Sequence, residues 1–186
     1  MELLGRWLEE AERAGAPVPR AMTLATSVEG RPSTRVISLK QLDRDGLVFT
    51  TALWTRKAEE LRANPRVAAV FFWPSLGRQV RIEGSATVAA RELAEKLFAD
   101  RPRSHQLQAL VSRQGEEIAD LGSLRAKLGE MERELGDRPV PCPEDWGAVR
   151  IAAERIEFWQ EADDRLHSRL LCERSGEDWR RSLLAP

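Results

Sequence analysis

The chain begins and ends in strand-like alternation of apolar and polar positions and turns helical in the middle. Leu3, Leu4, Trp7, Leu8 and Ala11 recur at helical spacing with Glu and Arg between them, and Gly15 marks a stop, so residues 1–15 read as an N-terminal helix. "AGAPVPR" breaks it. "AMTLATS" reads as a strand, "EGRP" as a turn and "STRVISLKQL" as a second strand. "DRDG", Asp43 to Gly46, has hairpin-turn composition, and "LVFTTAL" follows as a third strand. Thr55 is a candidate cap for a short helix, "RKAEELRANP", which Pro65 closes. "VAAVFFWP" is a continuous apolar strand, expected to be buried on both faces, and "RQVRIEGSATVA" alternates as the next strand.

The segment 90–136 then changes period. "ARELAEKLFADRP", "SHQLQALVSRQ" and "LGSLRAKLGEMERELG" read as helices, and "RPVPCPEDWG" as a Pro-rich loop. From 147 to 186 the strands return: "AVRIAAERIEFWQ" and "RLHSRLLCER" flank the acidic turn "EADD", and "SGED" leads to a last strand, "WRRSLL". Strands at both ends with helices inserted between them predict a mainly β protein with helical additions (α+β). An antiparallel barrel in one domain over residues 1–186 fits this order.

A chain of 186 residues is long enough for one sizeable core. Lys plus Arg number 29 and Asp plus Glu 30, a balance that argues against a general nucleic-acid binder. No apolar run approaches a membrane-spanning length, and "MELLGRWLEEAERAG" lacks the apolar centre of a secretory signal. Cys142 and Cys172 lack metal spacing, and reduced cysteines point to a cytoplasmic protein. With two histidines in all and no H-E-x-x-H, a zinc or iron site is not expected.

One of those histidines lies in "DRLHSRL", Asp164 to Leu170. In an extended strand Arg165, His167 and Arg169 would share one face, with Leu166, Ser168 and Leu170 on the other. Such a face is either a solvated edge or the wall of a pocket for an anionic, planar ligand. The guanidinium suits the second, since its fork pairs with phosphate or carboxylate and its plane stacks on rings. Further cations sit at strand ends. "TRVISLK" puts Arg35 and Lys40 on one predicted strand. "TTALWTRK" puts Arg56 and Lys57 at a helix start, where free N–H groups favour anions. No G-x-G-x-x-G or P-loop is present, so a phosphate would be held by side chains and strand edges.

The segments "RVISLK", "GLVFTTALWTRKAEEL", "NPRVAAVFFWPSLGRQVRIEG", "RPRSHQLQALVSRQ", "IEFWQ" and "RLHSRL" follow one another in order and spacing. In this the chain resembles the pyridoxamine 5'-phosphate oxidase family, from about Ala21 to the C-terminal "LLAP". The resemblance implies a split β-barrel, homodimeric, with FMN bound at the subunit interface. It implies that Arg35, Val36, Ile37, Ser38, Leu39 and Lys40 line the flavin, with Thr50 and Thr51 also touching it. Arg56 and Lys57 would hold its phosphate, with Gln114 and Gly115 contributed by the second subunit. Gln79, Trp159 and Arg169 would meet the ring system, where a guanidinium stabilises the charge of the reduced form. Lys40 and Arg101 would hold the phosphate of a phosphorylated substrate, with His105 as a further contact. Arg165 and His167 would act as the catalytic pair against the pyridine ring. Hydride would pass from the substrate C4' carbon to flavin N5, and oxygen would reoxidise the flavin to give hydrogen peroxide.

The chain departs from the family pattern at the substrate phosphate. A tyrosine is usual four residues before the arginine of "RPR", where Leu97 stands, and a serine four residues after it, where His105 stands. Gly115 replaces a serine, Leu183 an arginine, and the N-terminal extension is short. Retained Lys40 and Arg101 favour pyridoxamine or pyridoxine 5'-phosphate. The lost hydroxyls favour a related flavin oxidase of another substrate, such as a phenazine precursor. A non-catalytic flavin-binding split barrel is a third reading, against which Arg165 and His167 speak, since flavin retention does not need them.

Overall fold

The computed structural model describes residues 1–176 and 178–186. Two compact units are present: Met1–Phe49, Glu60–Thr87 and Val149–Pro186 form the first, and Thr50–Glu59 and Val88–Ala148 the second.

The first unit holds most of an antiparallel sheet. Its strands are β1 (Ala21–Val28), β2 (Arg31–Ser38), β3 (Gln41–Asp43), β4 (Gly46–Ala52), β5 (Arg66–Trp73), β6 (Arg78–Val88), β7 (Trp146–Gln160), β8 (Ser168–Ser175) and β9 (Asp178–Leu183). They are ordered β2-β1-β5-β6-β7-β4-β3, with β8 paired to β7 and β9 to β8. Val67, Ala69, Phe71 and Trp73 from β5, Val80 and Ile82 from β6, and Ile151, Ile156 and Phe158 from β7 fill one core. Helix α1 (Glu2–Arg13) closes it. Leu4, Leu8 and Ala11 fall on one helical face and are buried there, and Trp7 meets Phe158 edge to face at 5.3 Å. At the β3–β4 turn Gly46 has φ +135°, and a Cβ there would strike the backbone carbonyl of Ile151. Only glycine lets the turn pass this close to β7.

In the second unit, α3 (Arg91–Ala99), α4 (Arg103–Val111) and α5 (Leu121–Leu135) surround a small core of Phe98, Leu107 and Val140. Asp120 caps α5 by accepting from the Ser123 N–H at 2.9 Å. Helix α2 (Arg56–Ala63) starts in this unit. No helix among the described residues is long and apolar enough to cross a membrane.

Three sequence expectations need correction. "STRVISLKQL" is not one strand, because β2 ends at Ser38 and β3 begins at Gln41. Leu39 between them is 1 % exposed, and turning it into the core takes Lys40 off the strand that carries Arg35. "VAAVFFW" is not buried on both faces: burial alternates, and Phe72 is 56 % exposed. A strand between β1 and β6 has one core face, and its other face is open in the single chain. "RLHSRLLCER" is a strand only from Ser168. Before it the chain turns. The Asp164 carboxylate accepts from the Leu166 N–H at 2.9 Å, the Arg165 N–H donates to the Ala162 carbonyl, and Arg165 has φ +65°. Strand alternation therefore does not put Arg165 and His167 on one face with Arg169, and Leu166 is exposed instead of packing in the core.

Candidate functional site

The polar centre of the second unit forms where β4 runs into α2. The backbone turns at Ala52, and the Thr55 carbonyl accepts from Ala58 and Glu59 to open the helix. The Thr55 hydroxyl donates to the Ala52 carbonyl at 2.8 Å and lies 3.2 Å from the Thr51 hydroxyl. Lys57 is buried, and its Nζ donates to Thr51 Oγ1 and to Gln114 Oε1, both at 3.1 Å. Gln114, expected from a second subunit, thus meets Lys57 of its own chain. The Arg113 guanidinium lies 4.5 Å over the Trp54 ring, tying the 113–115 turn to the start of α2. Gly115 follows with φ +96°, and Arg56 is exposed in the first turn of α2. An ammonium, two hydroxyls and a helix N-terminus are donors suited to a dianionic phosphate. They fit the phosphate of a flavin mononucleotide.

The same unit holds Arg101, whose Cζ lies 4.3 Å over the Trp146 ring and 5.5 Å from that of Phe98. Its Nη1 is buried with no hydrogen-bond partner among the described residues. Desolvation lowers the Arg101 pKa from its ordinary value, although a guanidinium stays charged. A buried cationic donor without an acceptor is costly unless an anion completes it. Leu97 is buried on α3, whereas His105 is exposed in the first turn of α4. Burial raises the Cys142 pKa above its ordinary value.

In the first unit the ring-side candidates lie on β6, β7 and β8. Gln79 pairs with Phe72, and Trp159 pairs with Arg169. The tight turn at Gly77, φ +57°, packs on Glu161, and the Glu161 N–H donates to the Gly77 carbonyl at 2.8 Å. Arg78 donates to Gln160 at 2.6 Å and pairs with Glu10 of α1, which fixes the start of β6 beside the end of β7. His167 lies 5.0 Å from Trp159, and its Nδ1 accepts the Ala162 N–H at 3.1 Å. The proton of the neutral imidazole is therefore on Nε2. Arg165 is exposed on the turn.

The 35–40 stretch lies on β2 and the link after it. Val36 and Ser38 are exposed, Ile37 is half-buried and Leu39 is in the core. The Arg35 guanidinium is held by Glu60 at 2.8 Å, Thr26 at 2.6 Å and Ser33 at 2.8 Å. Lys40 is exposed, and its N–H donates to the Val48 carbonyl. Thr50 is half-buried on β4. Sequence reasoning missed Thr55 as a site hydroxyl and missed Glu157, a buried carboxylate that grips Arg169. The acid inside the apolar "IEFWQ" was the available signal for the second.

The fold has solved counterparts. A pyridoxamine 5'-phosphate oxidase-related, FMN binding protein from Nostoc punctiforme PCC 73102 superposes with a TM-score of 0.79. At 17 % identity over 96 % of this chain and 94 % of that one, this is a likeness of fold. PhzG from Burkholderia lata 383, solved in complex with tetrahydrophenazine-1-carboxylic acid, superposes with a TM-score of 0.94 at 33 % identity. That match covers 100 % of this chain and 91 % of the other. A family model described as pyridoxamine 5'-phosphate oxidase matches residues 8–133. The pyridoxine 5'-phosphate oxidase C-terminal dimerisation region matches residues 146–186. The chain belongs to the pyridoxamine 5'-phosphate oxidase family. It is 50 % identical to a pyridoxine/pyridoxamine 5'-phosphate oxidase of Rubrobacter xylanophilus over 98 % of this chain and 84 % of that protein. It is 39 % identical to one of Leptospira biflexa over 100 % of this chain and 88 % of that protein.

Proposed function

We propose that this protein is an FMN-dependent oxidase that converts pyridoxamine and pyridoxine 5'-phosphate to pyridoxal 5'-phosphate. Oxygen is the acceptor and hydrogen peroxide the second product; the amine substrate also takes up water and releases ammonia. The reading is supported by the relatives that carry this name across nearly the whole chain. The structural observation that carries it is half-buried Arg101, whose buried Nη1 has no partner among the described residues and would be completed by a substrate phosphate.

Bound FMN supplies a two-electron acceptor that oxygen regenerates. Lys57, Thr51 and Gln114, with Arg56, would hold its phosphate, and Gly115 would let the backbone approach it. Thr50, the 35–40 stretch, Gln79, Trp159 and Arg169 would meet the rest of the cofactor. Lys40 and Arg101 would bind the substrate phosphate, and His105 would assist. His167 would present its Nε2 donor, and Arg165 its guanidinium, to the pyridine ring, orienting C4' for hydride loss. We read residues 1–186 as a single split-barrel domain acting as a cytoplasmic homodimer. The match of 146–186 to a dimerisation region and the open apolar positions Val36 and Phe72 support the dimer.

Arg101→Met tests the assignment. It should raise KM for pyridoxine 5'-phosphate at least tenfold while leaving the FMN dissociation constant unchanged. An unchanged KM in the FMN-loaded variant would contradict it. A second reading, oxidation of a reduced phenazine carboxylic acid, is favoured by buried Leu97 at the usual tyrosine position and by the likeness to PhzG. Turnover of that acid but not of the phosphorylated vitamers would select it.

A further inference from the structure

Glu157 lies within β7 with 5 % of its side chain exposed. Its neighbours Ile156 and Phe158 belong to the core, so alternation puts Glu157 and Trp159 on the opposite face of the strand. Register places Arg169 directly beside Trp159 and Leu171 beside Glu157. From there both Nε and Nη2 of Arg169 reach the same Glu157 oxygen, each at 2.8 Å. Arg169 Nη1 donates to the Ala185 carbonyl at 3.1 Å. The other Glu157 oxygen accepts from Arg81 of β6 at 3.3 Å.

We infer that Glu157 positions Arg169 and sets the charge that Arg169 presents to the flavin ring. This rests on the reading above that the ring meets Arg169. A guanidinium held on two sides cannot swing away, so its remaining N–H groups keep one direction. Its charge is also compensated. Arg81 also lies 3.8 Å from Glu83, so its charge is shared between two carboxylates and solvent, its side chain being 46 % exposed. Such a site offers a fixed donor and a compensated charge, not an isolated cation. Electrons entering the ring add negative charge, so the midpoint potential reports the net charge of this cluster.

The experiment is the two-electron midpoint potential of the FMN-loaded protein, with the FMN dissociation constant measured alongside. Glu157→Gln removes the anion and should shift the potential positive, by about 30 mV for each tenfold gain in preference for reduced over oxidised flavin. Arg81→Gln removes a cation and should shift it negative. Opposite shifts support the inference. Unchanged potentials in both FMN-loaded variants would overturn it, leaving Glu157 a structural residue. Should Glu157→Gln fail to fold, the half-exposed Arg81→Gln decides the sign alone. Failure of the wild type to bind FMN would instead overturn the proposed function.

Discussion

The Lys57 ammonium and the Gln114 amide oxygen lie 3.1 Å apart within one chain, joining the start of α2 to the turn after α4. The same ammonium reaches the Thr51 hydroxyl, so a buried cation sits among polar groups that can exchange to a phosphate. Lys57→Met keeps most of the volume and removes the charge. One charged hydrogen bond is worth roughly 1.5–3 kcal/mol, so FMN affinity should fall by about one to two decades. Titration by flavin fluorescence quenching checks this, and an unchanged dissociation constant would remove Lys57 from the phosphate site.

Arg165→Ala should lower kcat for the phosphorylated vitamers while flavin stays bound. The residue is exposed on a turn outside β8, whereas Arg169 is anchored within the strand. Parallel measurement of turnover and bound flavin separates the two roles. Loss of flavin in the variant would show that Arg165 serves the cofactor.

The ends of the chain were more legible than the connections. Helical spacing in α1 and alternation in β6 were readable because each element has one core face, whereas the apolar run of β5 hid its open face. The family resemblance, not the periodicity, proposed the site residues. What failed was local: alternation in "DRLHSRL" looks like a strand, yet the Asp164 turn takes Arg165 out of it. A two-residue periodicity cannot report a side-chain-capped turn. Nor can sequence reveal that Glu157 neutralises Arg169, since the partners are 12 residues apart and joined only by strand register.

Asp43 should govern part of the acid stability. Its carboxyl is held down to about 2 by the hydrogen bond from Arg150 at 2.5 Å, with Gln41 and the Asp45 N–H adding to it. The folded state binds this proton more weakly than the unfolded chain. The stabilisation is therefore complete above about pH 4 and is lost as pH falls towards 2. The shift would convert to roughly 2.5 kcal/mol, and solvent screening of a partly exposed pair reduces it to about 1 kcal/mol. Asp43→Asn should lower Tm at pH 6 and flatten its fall between pH 4 and 2. Parallel Tm curves for the two proteins across that range would contradict the assignment.

Leu97 and His105 set the expected weakness for phosphorylated substrates. The missing phenol would have given one hydrogen bond to a charged group, roughly 1.5–3 kcal/mol. The double variant Leu97→Tyr with His105→Ser should lower KM for pyridoxine 5'-phosphate by about tenfold. Leu97 is buried, so tyrosine must displace neighbours, and Tm should be followed with KM. A folded variant with unchanged KM would mean that the phosphate does not approach α3.

The central claim is tested most directly by steady-state oxidation of pyridoxamine 5'-phosphate by the FMN-loaded wild type, with pyridoxal 5'-phosphate, ammonia and hydrogen peroxide measured together. The account predicts that all three appear in equal amounts and that oxygen is consumed at the same rate. Normal FMN binding without pyridoxal 5'-phosphate or peroxide from either phosphorylated vitamer would contradict it.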